Sequence, residues 1–228
     1  AGALSQHDAT GPTGDTVHLL TVEGDSGCVM AALQSPERNL VMSRGPAAAI
    51  EALVEGLAEA KVCLPGVHGP VDAARGFAGR WAKGAGLAVQ LAMSMRVYQL
   101  TRVIPPPLPP GRFRAATPAD IPVLARWADS FITETGVDDS RSRKTIVEGM
   151  VEEGQLHVWD HQGPASMAGY GGETPRGVRV SLVYTPPDLR SRGYASACVA
   201  SLSQLLLDSG RAFCALYTDL ANPISNRL

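Results

Sequence analysis

The sequence predicts an α/β (α+β) fold, a mixed β-sheet flanked by helices, arranged as two tandem related halves. Runs in which apolar and polar residues alternate, typical of strands, occur between segments whose apolar residues recur at helical spacing. A proline-rich run, Pro105 to Gly111, divides the chain. On each side of it we predict three successive strands, a helix, a strand and a further helix start, and this similar order suggests an internal structural repeat.

The composition indicates a globular protein and excludes several classes of partner. With 228 residues, of which 45% are hydrophobic and 18% charged, the chain can bury one large core or two small ones. A net charge of -2 and the lack of a Lys/Arg run argue against nucleic acid, and no 18-residue apolar run predicts a membrane span. We expect a cytoplasmic protein whose small, polar residues 1–16 form a disordered lead-in.

The cysteines and histidines do not predict a metal site. His157 and His161 lack further ligands nearby in the sequence, so we expect no bound metal. The cysteines form no C-x-x-C pair, which favours buried thiols in a reducing compartment. The four cysteines are Cys28, Cys63, Cys198 and Cys214.

The first half is predicted to span residues 17–104. Its strands are expected at 17–22, 28–34, 40–43 and 62–64, with one helix carrying Ile50, Leu53 and Leu57 and a second opened by Gly69-Pro70. Alternating apolar residues from Leu87 to Thr101 then predict a long, half-buried strand.

The run at residues 105–111 is predicted to be an extended polyproline II linker. Residues 112–228 form the second half, where Thr117-Pro118-Ala119-Asp120 has a capping residue, a proline and an acid at the spacing of a helix start. A second helix is expected at about 140–152, followed by strands at 155–160 and 165–173.

The segment from Val178 to Asp208 has the layout of a diphosphate-binding turn. An alternating strand ends at Thr185-Pro186-Pro187, and a turn then enters a helix. Gly193 and Ala195 are small residues where the backbone must approach a ligand, and the unpaired N–H groups of the helix start attract an anion. Arg190 and Arg192 would add positive charge.

Arg190-x-x-Gly193-x-Ala195, placed after a strand and Pro187, resembles the acyl-CoA signature of the GNAT superfamily of N-acetyltransferases, Gln/Arg-x-x-Gly-x-Gly/Ala. The resemblance covers residues 112–228 and includes a following strand at 213–218 and a helix start at Asn222-Pro223-Ile224-Ser225-Asn226. The alternative is an ordinary strand–turn–helix connection.

The resemblance implies an N-acyltransferase that moves an acetyl or short acyl group from acetyl-CoA to a small amine or amino acid. The strand at 181–185 should separate from the strand at 213–218, so that CoA lies between them. A backbone N–H near Val183 would stabilise the oxyanion. The implied CoA-binding residues are Val183, Thr185, Arg190, Ser191, Arg192, Gly193, Tyr194, Ala195, Ser196 and Asn222.

The sequence identifies the general acid and the general base of this reaction less clearly than it identifies the CoA-binding turn. Glu134 and Glu173 are the two candidates for the general base. Many family members use a Tyr early in the last helix to protonate the thiolate, but this sequence ends at Leu228 before such a Tyr and before two final strands. We therefore expect a truncated chain. Alternatively, the strand predicted at 87–101 covers the open sheet edge.

The turn into the first helix of the first half, Ser43-Arg44-Gly45-Pro46, lacks the CoA signature. This half therefore resembles a degenerate GNAT-like repeat, as in tandem members similar to glycine N-acyltransferases, and an unrelated α/β module is the alternative. The rival function for the whole chain is a non-catalytic CoA-binding or protein-interaction module. The sequence leaves a homodimer open.

Overall fold

The computed structural model describes residues 3–10, 16–25, 27–35, 37–136 and 142–222. The chain divides into two compact units, residues 1–91 and residues 92–228. No helix in the described ranges is both long and apolar enough to cross a membrane.

The first unit contains a five-stranded sheet in the order β1-β2-β3-β4-β5, with antiparallel neighbours except for β4 and β5, which are parallel. The elements are β1 (Ala3–Thr10), β2 (Thr16–Gly24), β3 (Gly27–Gln34), β4 (Leu40–Met42), α1 (Ala47–Glu59), β5 (Val67–His68) and α2 (Val71–Ala85). The helix α1 connects the parallel pair. Met30, Leu40, Leu53 and Phe77 lie at the centre of the core, where apolar strand and helix faces are removed from water.

Two predictions for the first unit are wrong. The predicted lead-in is not disordered throughout, since β1 pairs with β2 over Ala3–Thr10. The fifth strand is at Val67–His68 rather than at 62–64. Val62 instead donates its N–H to Leu57 O at the end of α1, and Val62 and Leu64 pack against the core without joining the sheet.

The second unit contains a six-stranded sheet in the order β6-β11-β10-β9-β8-β7, in which only β10 and β11 are parallel. Its strands are β6 (Met95–Leu100), β7 (Arg112–Ala115), β8 (Leu156–Asp160), β9 (Pro164–Gly171), β10 (Gly177–Tyr184) and β11 (Phe213–Asp219). Its helices are α3 (Ile121–Thr135), α4 (Arg143–Glu152) and α5 (Tyr194–Asp208). Two apolar clusters flank the sheet, one around α3 and α4 and one around α5.

The position of β6 corrects the predicted boundary between the halves. Met95–Leu100 pairs antiparallel with β11, so this strand belongs to the second sheet and covers its edge, as the alternative expectation had it. Residues 87–94 form no strand, and five of the six residues of β6 are exposed rather than half-buried. The boundary therefore falls at residues 91 and 92. The proline run instead joins the two edge strands of one sheet, and Trp159 Nε1 donates a hydrogen bond to Pro110 O at 3.0 Å.

An ion-pair network ties the start of α3 to the β7 edge. Arg114 donates two hydrogen bonds to Asp120, at 2.7 and 2.9 Å, and one to Asp160 at 2.6 Å. Asp120 also accepts hydrogen bonds from the N–H and hydroxyl of Thr117, which confirms the predicted helix start. The hydrogen bonds from Arg114 lower the pKa of Asp120 to about 2, against the desolvation that opposes this shift.

Replacing this carboxylate should cost stability in a pH-dependent way. Because the pKa of Asp120 falls from 3.8 in the unfolded chain to about 2 in the folded protein, Asp120→Asn should reduce the free energy of unfolding at pH 7 by about 2 kcal/mol. The unfolded chain binds more protons between these pKa values, so this stability is present above pH 3.8 and is lost as the pH falls toward 2. Urea titrations across this pH range should show that the free energy of unfolding depends less on pH in the variant than in the wild type. Asp129→Asn, at an exposed position of the same helix, is the control and should match the wild type.

Candidate functional site

The central feature of the second unit is an interruption in its sheet. The parallel strands β10 and β11 pair only from Gly177 with Phe213 to Val180 with Leu216. Beyond this point β10 stays paired with β9, whereas β11 stays paired with β6 as far as Asp219. Each strand is held by its outer neighbour, and the predicted separation between them is present. It leaves backbone groups of both strands without a partner strand.

A β-bulge in β10 lies next to this separation. Ser181 pairs with Gly169 and Tyr184 pairs with Met167, so β10 has one residue more than β9 across this interval. Leu182 within the bulge adopts a φ of 51°, a left-handed conformation that is uncommon for a leucine. Such conformations persist where the surrounding structure enforces them, and they concentrate at functional sites.

The turn after β10 presents N–H groups to the open end of the separation. Pro187–Leu189 form a single 3₁₀ turn, and Gly193 then caps α5 with a φ of 82°. Ser191, two residues earlier, also has a positive φ, of 61°. The N–H groups of the first turn of α5 have no acceptor one turn earlier in the helix, and they carry the positive end of its dipole. An anion such as a diphosphate fits this position.

The two arginines of this turn have different partners. Arg190 Nη2 lies 2.7 and 2.9 Å from the two carboxylate oxygens of Glu134, and Arg190 Nε donates to Thr185 O at 2.9 Å. Arg192 donates to the backbone oxygen of Asp188 at 2.8 Å, and it makes no ion pair within the described residues. The cation expected to face a diphosphate at position 190 is therefore paired with a carboxylate.

The structure separates the two candidate bases. Glu134, in the last turn of α3, lies beside the turn through its contact with Arg190. Glu173 pairs with Arg211 at 2.7 Å and precedes β10, at the end of the sheet opposite the turn. The 15 residues of α5 separate the two ends, a length of about 22 Å. Of the two predicted bases, Glu134 therefore lies beside the turn, whereas Glu173 lies at the opposite end of the sheet.

Asn222 follows β11 at the same end of the sheet as the turn, and its N–H donates to Asp219 O at 3.0 Å. The rest of the predicted helix start, at 223–226, lies outside the described residues.

Tyr184 is a site residue that the sequence did not single out. Its hydroxyl donates to Glu134 Oε1 at 3.2 Å, and the residue is only 6% exposed. Strand alternation places it on the same face as Val178 and Val180, which pack against α5. The extra residue of the bulge turns the following side chains to the opposite face of the sheet. Tyr184 therefore packs in the apolar cluster around α3 and α4. Its only sequence signal is its position directly before Thr185.

The histidines and cysteines take structural positions, some of them unexpected. His157 is buried against Phe113, its Nδ1 has no partner within the described structure, and desolvation lowers its pKa. His161 stacks on Tyr194 at 6.0 Å between ring centroids. Cys198 and Cys214 are buried as predicted, and burial raises the pKa of Cys198 to about 12. The prediction is wrong for Cys28 and Cys63, which are exposed.

The corresponding turn of the first unit has different backbone chemistry. The helix α1 is capped by Pro46, which has no N–H and an extended conformation, in place of a left-handed glycine. A cavity of about 520 Å³ lies nearby. Its lining residues are Val29, Arg44, Gly45, Pro70, Val71, Asp72 and Ala73.

Comparison with known proteins identifies the fold. No protein-family profile matches this sequence, and no curated protein matches it. A GNAT-family acetyltransferase from Colwellia psychrerythraea aligns with a TM-score of 0.59 and 11% identity, over 92% of this chain and 79% of its own. A GCN5-related N-acetyltransferase from Sphaerobacter thermophilus aligns with a TM-score of 0.53 and 16% identity, over 89% and 71%. The chain thus has the mixed α+β fold of GNAT acetyltransferases, as predicted.

The left-handed turn at Gly193 should be required for CoA binding. A side chain at this position would lie in ordinary contact with Pro109, at 3.9 Å, so the main penalty of Gly193→Val is conformational. A left-handed conformation costs a non-glycine residue roughly 1–2 kcal/mol. Relaxation of the strained backbone in the variant would misplace the N–H groups of the turn. We therefore expect CoA binding to be at least about tenfold weaker by calorimetry.

Gly210→Val is the matched control. Gly210 also has a positive φ, of 94°, with open space around it, but it follows the far end of α5. This variant should lose similar stability and keep CoA affinity. Equal CoA affinity in the Gly193→Val variant and the wild type would contradict the assignment of the turn.

Proposed function

We propose that this chain is an acyl-CoA dependent N-acyltransferase that moves an acetyl or short acyl group to a primary amine of a small molecule or amino acid. The observation that carries the proposal is the separation of β10 from β11, which opens beside the N–H groups at the start of α5. The pantetheine arm would lie in the separation, with Val183 and Thr185 bonding it through their backbone. The N–H groups and side chains of residues 190–196 would hold the diphosphate, and Asn222 would contribute from the end of β11.

The reaction follows from this placement. The amine nitrogen attacks the thioester carbonyl, an N–C bond forms, and a backbone N–H near Val183 stabilises the oxyanion. The C–S bond then breaks, and the electron pair leaves with the CoA sulfur. The proton released from the amine passes to Glu134, directly or through one water molecule. Holding both reactants together supplies much of the rate enhancement, since the reacting atoms no longer meet by diffusion.

The rival is a module that binds CoA or a protein partner without catalysis. Its support is the ion pair between Arg190 and Glu134, which occupies the proposed base in this structure. Binding of CoA is common to the enzyme and to a CoA-binding module, so only turnover separates them.

Release of free thiol from acetyl-CoA in the presence of mixed amines and amino acids tests the proposal. We expect amine-dependent thiol release that Glu134→Gln reduces by roughly 10²–10⁴-fold, the usual contribution of a placed acid or base. Because Cys28 and Cys63 are exposed free thiols that a thiol reagent can reach, the assay needs a Cys28→Ser/Cys63→Ser background. Saturable CoA binding with no amine-dependent release would favour the non-catalytic module.

The first unit is proposed to be a degenerate GNAT-like repeat, as in tandem members that resemble glycine N-acyltransferases. Support comes from its topology: four antiparallel strands, then a crossover helix and a parallel fifth strand, as in β7 to β11 of the second unit. The cap at Pro46 lacks the left-handed turn and one of the N–H groups.

One CoA should therefore bind per chain. Calorimetry with the wild-type protein should give a stoichiometry near one, because of the two corresponding turns the one at residues 190–196 has the left-handed glycine cap, and the one at Pro46 does not. A value near two would contradict the degenerate-repeat proposal, and the stoichiometry of an Arg44→Gln variant would then show whether the cavity beside Arg44 is the second site.

A further inference from the structure

Three side chains from three different elements meet beside the candidate CoA turn. Glu134 comes from the last turn of α3, Tyr184 from the end of β10 and Arg190 from the turn itself. Arg190 contacts both oxygens of Glu134, and its guanidinium carbon lies 5.6 Å from the centroid of the Tyr184 ring. The hydroxyl of Tyr184 completes the cluster by donating to Glu134.

The contacts of Arg190 compete with those that a bound anion would make. Its guanidinium can face the N–H groups at the start of α5 or the carboxylate of Glu134, and here it faces Glu134. Its Nε also donates a hydrogen bond to Thr185 O, a backbone acceptor at the open end of the strand separation. A diphosphate at the start of α5 brings more negative charge than one carboxylate and matches the planar guanidinium equally well.

The contacts of Glu134 explain why this competition affects chemistry. With Arg190 on both oxygens and Tyr184 on one, the carboxylate has little capacity left to accept a proton from an amine. The hydroxyl of Tyr184 donates to Glu134 directly, and Tyr184 is buried. Tyr184 can therefore keep Glu134 in place after Arg190 has turned away.

We infer that Arg190 is a positioning residue that exchanges partners during the reaction cycle. Without acyl-CoA it binds Glu134, and with acyl-CoA it turns to the diphosphate and releases Glu134 for the amine. The inference rests on the proposed function and adds to it that Glu134 stays paired with Arg190 until acyl-CoA is bound. The exchange costs little free energy, because exposed ion pairs are weak. The side chains of Arg190 and Glu134 are both more than a third exposed, at 37% and 45%.

Calorimetry with CoA as the titrant tests the exchange, because the exchange predicts that removing the Glu134 carboxylate strengthens CoA binding. In Glu134→Gln the competing carboxylate is gone and Arg190 is free, so CoA should bind about two- to fivefold more tightly, the range expected for an exposed ion pair. Arg190→Gln should bind CoA more weakly. In the double variant the gain from Glu134→Gln should disappear, because the gain acts through Arg190.

Glu148→Gln is the matched control, since it also removes one negative charge from an exposed ion pair, that with Lys144 on α4. It should leave CoA affinity unchanged. Melting temperatures establish that each variant is folded, and Glu134→Ala provides a second variant in which the same gain is expected.

Two results would overturn the exchange while leaving the proposed function intact. One is unchanged or weaker CoA binding by both Glu134 variants when the wild type binds CoA, and the other is a gain that persists in the Arg190→Gln background. A wild-type protein that binds no CoA would instead overturn the proposed function, and the exchange with it.

Discussion

The candidate site depends on one constraint, the early end of pairing between the parallel strands β10 and β11. Four residue pairs join them, from Gly177 to Val180 on β10, and then each strand follows its outer neighbour. Unpaired backbone groups are costly when buried, so such a gap persists only where the groups reach water or a ligand. The strand β6 is essential here because it keeps β11 in a sheet after β10 has left it.

The bulge at Leu182 connects this gap to the side chains around it. By adding one residue to β10 it turns Tyr184 away from α5 and toward α3, where its hydroxyl reaches Glu134. Ser166, which is buried, fixes the end of the strand by donating to Tyr184 O and contacting the Thr185 hydroxyl. Backbone geometry therefore controls both the separation of β10 from β11 and the contact that Tyr184 makes with the proposed base.

Local sequence signals predicted the parts of the site that depend on short-range chemistry. Small residues and arginines around Gly193 predicted the turn, and the capping residues at Thr117 and Asp120 predicted the start of α3. Long-range features were less well predicted. Alternation cannot reveal the bulge at Leu182, and the covering of the sheet edge by β6 was expected only as an alternative, because nothing local in β6 specifies a pairing with β11 more than 100 residues later. For the same reason Glu134 and Glu173 looked equivalent, although the sheet places them at opposite ends.

Amide NMR of the ¹⁵N-labelled protein during titration with CoA tests the central claim most directly. The account predicts that the largest shift changes fall on two sets of amides: Val183 to Thr185 at the separated end of β10, and Ser191 to Ser196 at the turn into α5. Saturable changes confined to the first unit, with those amides unmoved, would contradict it.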